Sequence, residues 1–220
     1  MNDMYFTPEP TSEAKARQYE LLYAGKSFVF HSSTGVFSKN GPDRGSLVLL
    51  DGCRRHFGPI GHGLSGNLLD LGCGIGLIGV VLKRLYPDLR LVMADCNRRA
   101  LELARENCAE NRIGYTEILA SDAWEGLEGR TFDFVVSNPP IRAGKTTVYA
   151  FFAGAARQLR PGGQLLTVIS KNQGADSARK ELLRLFGNVE TIHRAKAFHV
   201  LLCEKGVCEK RTDESPILVP

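Results

Sequence analysis

Long apolar runs are missing from this sequence. No stretch approaches the ~20 consecutive apolar residues that a membrane span needs. The opening Met1-Asn2-Asp3-Met4-Tyr5-Phe6 has neither the basic start nor the apolar core of a signal peptide. Cysteine is present without a pattern: Cys53, Cys73, Cys96, Cys108, Cys203 and Cys208 include no C-x-x-C pair and no histidine at zinc spacing. The five histidines, His31, His56, His62, His193 and His199, form no cluster either, so no metal is expected. Thiols scattered in this way fit a reducing compartment, hence the cytoplasm. A large charge excess is also missing. The net charge of +4 and pI near 8.8 permit a nucleic-acid partner without demanding one. There is no internal repeat and no low-complexity segment. What remains is a chain of 220 residues, 43% apolar and 24% charged, enough for one domain with a substantial core.

From residue 67 the chain alternates apolar runs with amphipathic stretches. Runs at 68–71, 89–94, 115–120, 132–136 and 164–170 read as buried strands. Helices are expected over 77–85, stopped by Pro87; over 98–111, capped by Asn97; over 147–159, stopped by Pro161-Gly162-Gly163; and from Asp176 or Ser177 to Phe186. Segments 189–193 and 197–202 read as a closing antiparallel pair. The alternation predicts an α/β fold: a Rossmann-like, seven-stranded, mostly parallel sheet with helices on both faces and a C-terminal antiparallel hairpin. Ahead of it, Thr11 or Ser12 would cap a short helix, 27–30 would form a strand, and 32–42 a loop. Asp43 or Ser46 would then open a helix to Phe57 with Leu47, Leu49, Leu50 and Cys53 inward. The organisation expected is an N-terminal extension (1–45), the sheet domain (46–205) and a polar tail (206–220).

Two strand ends carry the chemistry. Asp70-Leu71-Gly72-Cys73-Gly74-Ile75-Gly76 joins a strand to a helix, and its glycines permit a sharp turn and close backbone approach to a ligand. A dinucleotide fingerprint would need its third glycine at position 77, which is Leu, and there is no Lys-Ser/Thr pair for a P-loop. Asp70 beside this turn would repel a pyrophosphate and pair with a cationic ligand, directly or through water. Asp95, ending the next strand, can accept ribose hydroxyls. Asp122, after the third strand, can reach an adenine amino group, with Ala123 and Trp124 flanking the ring. An amino-acid moiety, a ribose and an adenine without phosphates describe S-adenosylmethionine. The second strand end is Ser137-Asn138-Pro139-Pro140-Ile141. Two prolines donate no N–H and fix φ, so the strand stops there and Asn138 sits in a stiff turn.

The set Asp70 to Gly76, Asp95, Ser121-Asp122 and Asn138-Pro139-Pro140-Ile141 resembles class I S-adenosylmethionine-dependent methyltransferases. Gly35-Val36-Phe37-Ser38 and Asn138 to Lys145 (N-P-P-I-R-A-G-K) narrow the resemblance to the methyltransferase small-domain family, which includes 16S rRNA guanine-N2 methyltransferases. It covers roughly residues 5–203. It implies cofactor contacts from Asp70, Gly72, Gly74, Asp95, Cys96, Asp122, Ala123 and Asn138, and ribosomal RNA or the small ribosomal subunit as partner. Larger members carry a further N-terminal domain that helps bind RNA; this sequence shows no counterpart.

An exocyclic amino nitrogen is a poor nucleophile because its lone pair is delocalised into the ring. Acceptors on its N–H groups favour the tetrahedral geometry of attack; the Asn138 amide oxygen and the Pro139 carbonyl are the candidates, with Pro140 stiffening the turn. Ile141, where adenine and amide methylating relatives carry an aromatic residue, points to guanine N2. Pyrimidine C5 methylation would need a Pro-Cys nucleophile, which is absent. Arg142, Lys145 and Lys171 are candidates for RNA phosphates, and Phe37 for stacking on a base or covering the cofactor. The competing readings are methylation of a protein amide or small amine, and a degenerate RNA-binding scaffold.

Overall fold

The computed structural model describes residues 8–9, 13–38 and 41–207. Its elements run β1 (Arg17–Tyr23), β2 (Lys26–Ser32), α1 (Arg44–Phe57), β3 (Gly66–Leu71), α2 (Leu77–Leu85), β4 (Leu89–Asp95), α3 (Arg98–Glu110), β5 (Thr116–Ala120), β6 (Phe132–Ser137), α4 (Lys145–Gln158), β7 (Leu159–Ser170), α5 (Ala175–Phe186), β8 (Glu190–Ala195) and β9 (Phe198–Glu204). Seven strands form one sheet in the order β5-β4-β3-β6-β7-β9-β8. The pairs among β3 to β7 are parallel, and β9 lies antiparallel between β7 and β8. The expected sheet and hairpin are both present.

The strands are apolar on both faces because helices cover both. Leu68, Met93, Val136, Leu166 and Val200 enter one core with α1, α2 and α3. Their neighbours Leu69, Ala94, Val135, Leu165 and Leu201 enter the other, with α4 and α5. This is the period of two read against two buried faces. β4 lies on one side of β3 and β6 on the other, so the connection reverses direction between β3 and β6. Ligand crevices in open α/β sheets form outside the carboxyl ends of the strands at such a point. Here the Ser137 hydroxyl donates to the Leu71 carbonyl at 2.7 Å and ties the two strand ends together.

Local chemistry sets the helix starts. Asp43 and Asn97 cap α1 and α3 by accepting from Ser46 and Ala100 N–H. α5 begins earlier than expected, after Gly174 in the left-handed region rather than at Asp176 or Ser177. Pro161-Gly162-Gly163 does not simply end a helix: α4 stops at Gln158, and the three residues form an irregular start to β7, where the pairing with β6 slips between Phe132 and Phe134. The proposed helix cap at Thr11 or Ser12 lies outside the described residues. Residues 13–16 that would follow are not helical, and 17–23 form a strand instead.

That strand was missed by periodicity, and it matters. β1 and β2 form a separate two-stranded sheet, whose Phe28 and Phe30 are fully buried in the α1–α3 core. The described part of segment 1–45 therefore packs as part of the domain rather than as an appendage. β2 is fastened by side chains. Asn107 of α3 accepts from His31 N–H at 2.6 Å and donates to the His31 carbonyl at 3.1 Å, while Asn111, one turn on, makes the same pair of bonds to Val29. Two asparagines thus do for the β2 edge what a neighbouring strand would do. Asn107 also donates to the Ile75 carbonyl at 2.9 Å, which couples the hairpin to the glycine turn.

Asn107 is fully buried, so truncating it leaves backbone groups of β2 and the glycine turn unpaired. Asn107→Ala is expected to lower unfolding free energy by about 3 kcal/mol in urea titration. A loss below about 1 kcal/mol would mean that water replaces these bonds freely.

Candidate active site

The glycine turn is built to present backbone. Gly72 and Cys73 N–H both donate to the Ala94 carbonyl, at 2.8 and 3.0 Å, and so hold the β3 end against β4. Gly72 and Gly74 have φ of 71° and 54°, in the left-handed region, and a side chain on Gly74 would project into open space. Gly74 N–H donates to Asp95 at 2.8 Å. Asp95 also accepts from Asn97 N–H at 2.8 Å through its other oxygen. Burial pushes the Asp95 carboxyl above its usual range, while the bonds from Asn97, Gly74 and Cys96 pull it back. Asp95 also lines the adjoining cleft. The Cys96 thiol, raised to about 12 by burial and then by Asp95 and Asp122, is not a nucleophile at neutral pH.

A cleft of about 250 Å³ opens at the β3/β6 switch point, lined among others by Phe37, Gly72, Gly74, Asp95, Cys96, Asp122, Ala123, Asn138, Pro139 and Pro140. Ten residues singled out by sequence therefore meet at one place. The cleft runs from the acidic ends of β4 and β5 to the proline turn after β6.

At that turn the Asn138 amide has a defined direction. Its Nδ2 donates to Asp43 Oδ1 at 3.2 Å and to Ser46 Oγ at 3.1 Å. An ionised carboxylate only accepts, so Asp43 decides which end of the amide faces α1. Asn138 lines the cleft, and its Oδ1 has no donor among the described residues. Asp43 is itself held by Ser46 N–H at 3.0 Å and by the Ser38 hydroxyl at 3.1 Å. Pro139 O accepts from Ile141 N–H at 2.8 Å, a tight turn that uses one of its two lone pairs. Across the cleft, Phe37 sits on a loop tied to α3 by Asn97 donating to the Gly35 carbonyl at 2.9 Å and Arg99 donating to the Thr34 carbonyl at 3.0 Å.

Several sequence expectations change place. Asp70 does not line the cleft. It is fully buried beneath the turn, where Oδ2 accepts from Gly79 N–H at 2.8 Å and Oδ1 has no partner; direct pairing with a ligand is excluded by that burial. Trp124 does not flank the cleft either. Its indole is buried against Gly154 and donates to the Phe151 carbonyl at 3.1 Å, leaving Ala123 alone at the wall. Ile141 packs against the α4–α5 core and lines a small adjoining pocket with Lys145 and Tyr149. Arg142, Lys145 and Lys171 are exposed on the rim. Sequence reading missed Ala100, Thr147 and Phe151, which also line the cleft, and named Leu71, Ser121 and Ala143 only within their motifs. It also missed Asp43 and Ser46 as holders of Asn138, although it placed both at the start of α1.

Burial pushes the Asp70 carboxyl up to about 7, with a further push from Asp95 against the pull of the Gly79 N–H. An unfolded aspartate titrates near 3.9. Between about pH 4 and 7 the folded protein holds a proton that the unfolded chain has lost, so stability falls as pH rises through that window and then levels. Urea unfolding across pH 5 to 8 is expected to show this decline in the native protein and a flatter profile in Asp70→Asn. Parallel profiles would show that Asp70 titrates as an ordinary carboxyl.

The family model described as methyltransferase small domain matches residues 27–202. The uncharacterized protein YbxB of Bacillus subtilis (strain 168) is 35% identical over 206 residues, covering 93% of this chain and 100% of its own length. The ribosomal RNA small subunit methyltransferase C of Pseudomonas aeruginosa (strain UCBPP-PA14) is 38% identical over 164 residues, covering 73% of this chain and 47% of its own length. Among solved structures, the T. Thermophilus 16S rRNA N2 G1207 methyltransferase (RsmC) in complex with AdoMet and guanosine superimposes with a TM-score of 0.79 at 29% identity, covering 89% of this chain and 52% of that one. The chain thus spans all of YbxB and about half the length of the two rRNA methyltransferases. The matched span runs from β2 into β9 and contains the glycine turn, the acidic strand ends and the proline turn, and the chain belongs to the methyltransferase small-domain family.

Proposed function

We propose that this protein transfers a methyl group from S-adenosylmethionine to the exocyclic N2 of a guanine in ribosomal RNA. The observation that carries this reading is the Asn138 amide at the cleft, its nitrogen held by Asp43 and Ser46 and its oxygen left without a donor among the described residues. The choice of guanine rests on the relatives, which are named as rRNA small subunit methyltransferases, one of them specific for a guanine N2. Ile141 no longer contributes to that choice, because it packs away from the cleft.

The cleft fits the cofactor by its donor set. Gly74 leaves space where a side chain would stand, Asp95 and Asp122 supply acceptors, and the acidic character disfavours a phosphate. Gly72, Gly74 and Cys96 would lie against the amino-acid and ribose portions, Asp95 would take the ribose hydroxyls, and Asp122 and Ala123 the adenine. Asp70 acts from below by holding the Gly79 N–H and so the start of α2. When bound, S-adenosylmethionine supplies an electrophilic methyl on a cationic sulfur, so no covalent enzyme intermediate is required.

The remaining chemistry belongs to the proline turn. Asn138 Oδ1 would accept one N–H of the guanine amino group, and the Pro139 carbonyl, with a second lone pair beyond its bond from Ile141, would accept the other. Both acceptors favour a tetrahedral nitrogen and oppose its delocalisation into the ring. They are preorganised: prolines stiffen the turn, and Asp43 keeps the amide from rotating. Holding the nitrogen in line with the methyl and sulfur supplies the orientation term. The nitrogen that has taken the methyl is cationic and acidic, and its proton passes to water. A base within a duplex would first have to leave its stack to enter the cleft.

Incubation with labelled cofactor and, separately, rRNA, 30S subunits and total protein, followed by digestion, is expected to yield labelled N2-methylguanosine. Label found only in protein would overturn the reading. Asn138→Ala is expected to lower kcat well over ~10-fold with cofactor Kd nearly unchanged, because the interaction acts in the transition state; an equal loss of cofactor affinity would show that Asn138 serves binding instead. Asp43→Ser keeps an N-cap for α1 but removes the carboxylate that orients Asn138. We expect kcat to fall about 10-fold, as for one charge-assisted hydrogen bond, with melting temperature and cofactor Kd held. A kcat unchanged in that variant would show that the turn alone fixes the amide.

A further inference from the structure

The two flanks of the cleft carry opposite charge. Toward β4 and β5 the carboxylates exposed or lining the cleft are Asp95, Asp122 and Glu125, while Arg98 is paired with Glu9 and Arg99 donates to the Thr34 carbonyl. Toward β7 and β8 they are cations. Arg142 and Lys145 follow the proline turn, Lys171 follows β7, and Arg194 and Lys196 lie at the turn joining β8 to β9.

Topology puts these residues in a row. β8 is parallel to β7, since both run antiparallel to β9, and Ser170 and Ala195 pair at the level of the same residue, Phe198. The β8–β9 turn therefore stands at the same sheet edge as Asn138. Moving outward from β6, the order is β7, β9, β8. Three strand intervals of about 4.8 Å carry the row roughly 14 Å from the catalytic turn. The row is rigid as well as aligned: Lys171 N–H donates to the Ala197 carbonyl at 2.6 Å and fixes the end of β7 to the hairpin turn.

The cations in the row are unspent. Arg130, Arg160 and Arg184 are engaged by carboxylates and Lys83 and Arg105 by carbonyls, whereas Arg44, Arg55, Arg90, Arg112 and Lys180 are exposed singly on other faces. The side chains of Arg142, Lys145, Lys171, Arg194 and Lys196 make no hydrogen bond or ion pair among the described residues, and all five are exposed. Two carboxylates, Asp176 and Glu190, line a pocket with Arg194, Arg179 and His199 on this side. The pull of Asp176 on His199 is outweighed: burial, then Arg194 and Lys171, hold that imidazole below its usual pKa.

Building on the function proposed above, we infer that the RNA strand leaves the catalytic turn along the edge of β7, β9 and β8, with its phosphates on Lys171, Arg194 and Lys196, and is repelled from the β4–β5 flank. A single polyanionic strand suits this surface: the cations form a line rather than a pocket, and the opposite flank is acidic. The β8–β9 hairpin is then an arm of the substrate site, 50 or more residues from the proline turn in sequence.

The test uses the full chain and fragments of 16S rRNA, with binding and methyl transfer measured separately. Arg194→Gln combined with Lys196→Asn removes both hairpin charges. Both side chains are exposed, and Asn tolerates the left-handed φ of 53° found at Lys196. At ~0.7 per phosphate contact on a single strand, the slope of log K against log salt is expected to become shallower by about 1.4. KM for the RNA should rise on the order of 10-fold near 0.1 M salt, with kcat, cofactor Kd and melting temperature unchanged. Glu125→Gln on the opposite flank should leave the slope as it is. Unchanged slope and KM in the double variant, with methyl transfer intact, would overturn the inference. So would a slope that responds to Glu125→Gln instead. The binding slope is measured without turnover, so a native protein that binds RNA through this edge yet methylates none of it would sink the functional reading and leave the surface standing.

Discussion

The carboxylate of Asp43 can accept hydrogen bonds and cannot donate them. On that restriction hangs the direction of the Asn138 amide, and with it the chemistry of the proline turn. The same carboxylate caps α1 and takes the Ser38 hydroxyl. One group thus joins the loop that carries Phe37, the start of a core helix and the end of a central strand. The prolines stiffen the backbone of the turn, but a stiff backbone leaves an amide free to flip; a purely accepting partner does not.

The opposite wall is held by a parallel device. Asn97 caps α3 and donates to Gly35, while Asn107 binds β2 and the Ile75 carbonyl. The β1–β2 hairpin adds no strand to the main sheet, yet it buries Phe28 and Phe30 beneath the α1–α3 side and braces the glycine turn from behind. The cleft is therefore framed by polar side chains that bond to backbone, which fixes distances more sharply than apolar packing alone. Its electrical asymmetry follows from topology. Acids end β4 and β5, bases follow β6, β7 and β8, and the switch point between β3 and β6 puts the boundary at Asn138.

Much of this was legible in the sequence. The glycine turn, the carboxylates at two strand ends and the proline turn announce themselves because each is a local backbone constraint with a residue type that satisfies it. Apolar periodicity marked all seven strands of the sheet. β1 escaped because Arg17–Tyr23 is a half-exposed strand of a two-stranded sheet, with little apolar alternation to read. Trp124 and Ile141 were misplaced for a related reason. Both follow strands at the ligand edge, but whether a side chain there turns into the cleft or the core depends on the next helix. Gly154 on α4 opens a slot for the indole, and the α4–α5 core accepts the isoleucine. Asp70 looked like a ligand group because it precedes the glycine turn. The alternation of the strand sends it downward instead, to the N–H of Gly79.

By itself, then, the sequence determined the alternating sheet, where its strands stop, and which chemical groups stand at those stops, since these follow from hydrophobic period and from the fixed φ of proline and the freedom of glycine. Only the tertiary structure decided which of those groups face one another. Asp43 lies 95 residues from Asn138, and no local rule pairs them; the packing of α1 against the sheet does. The same holds for the row of cations, whose members come together only because β9 inserts between β7 and β8 and brings a distant hairpin turn to the sheet edge that carries Asn138.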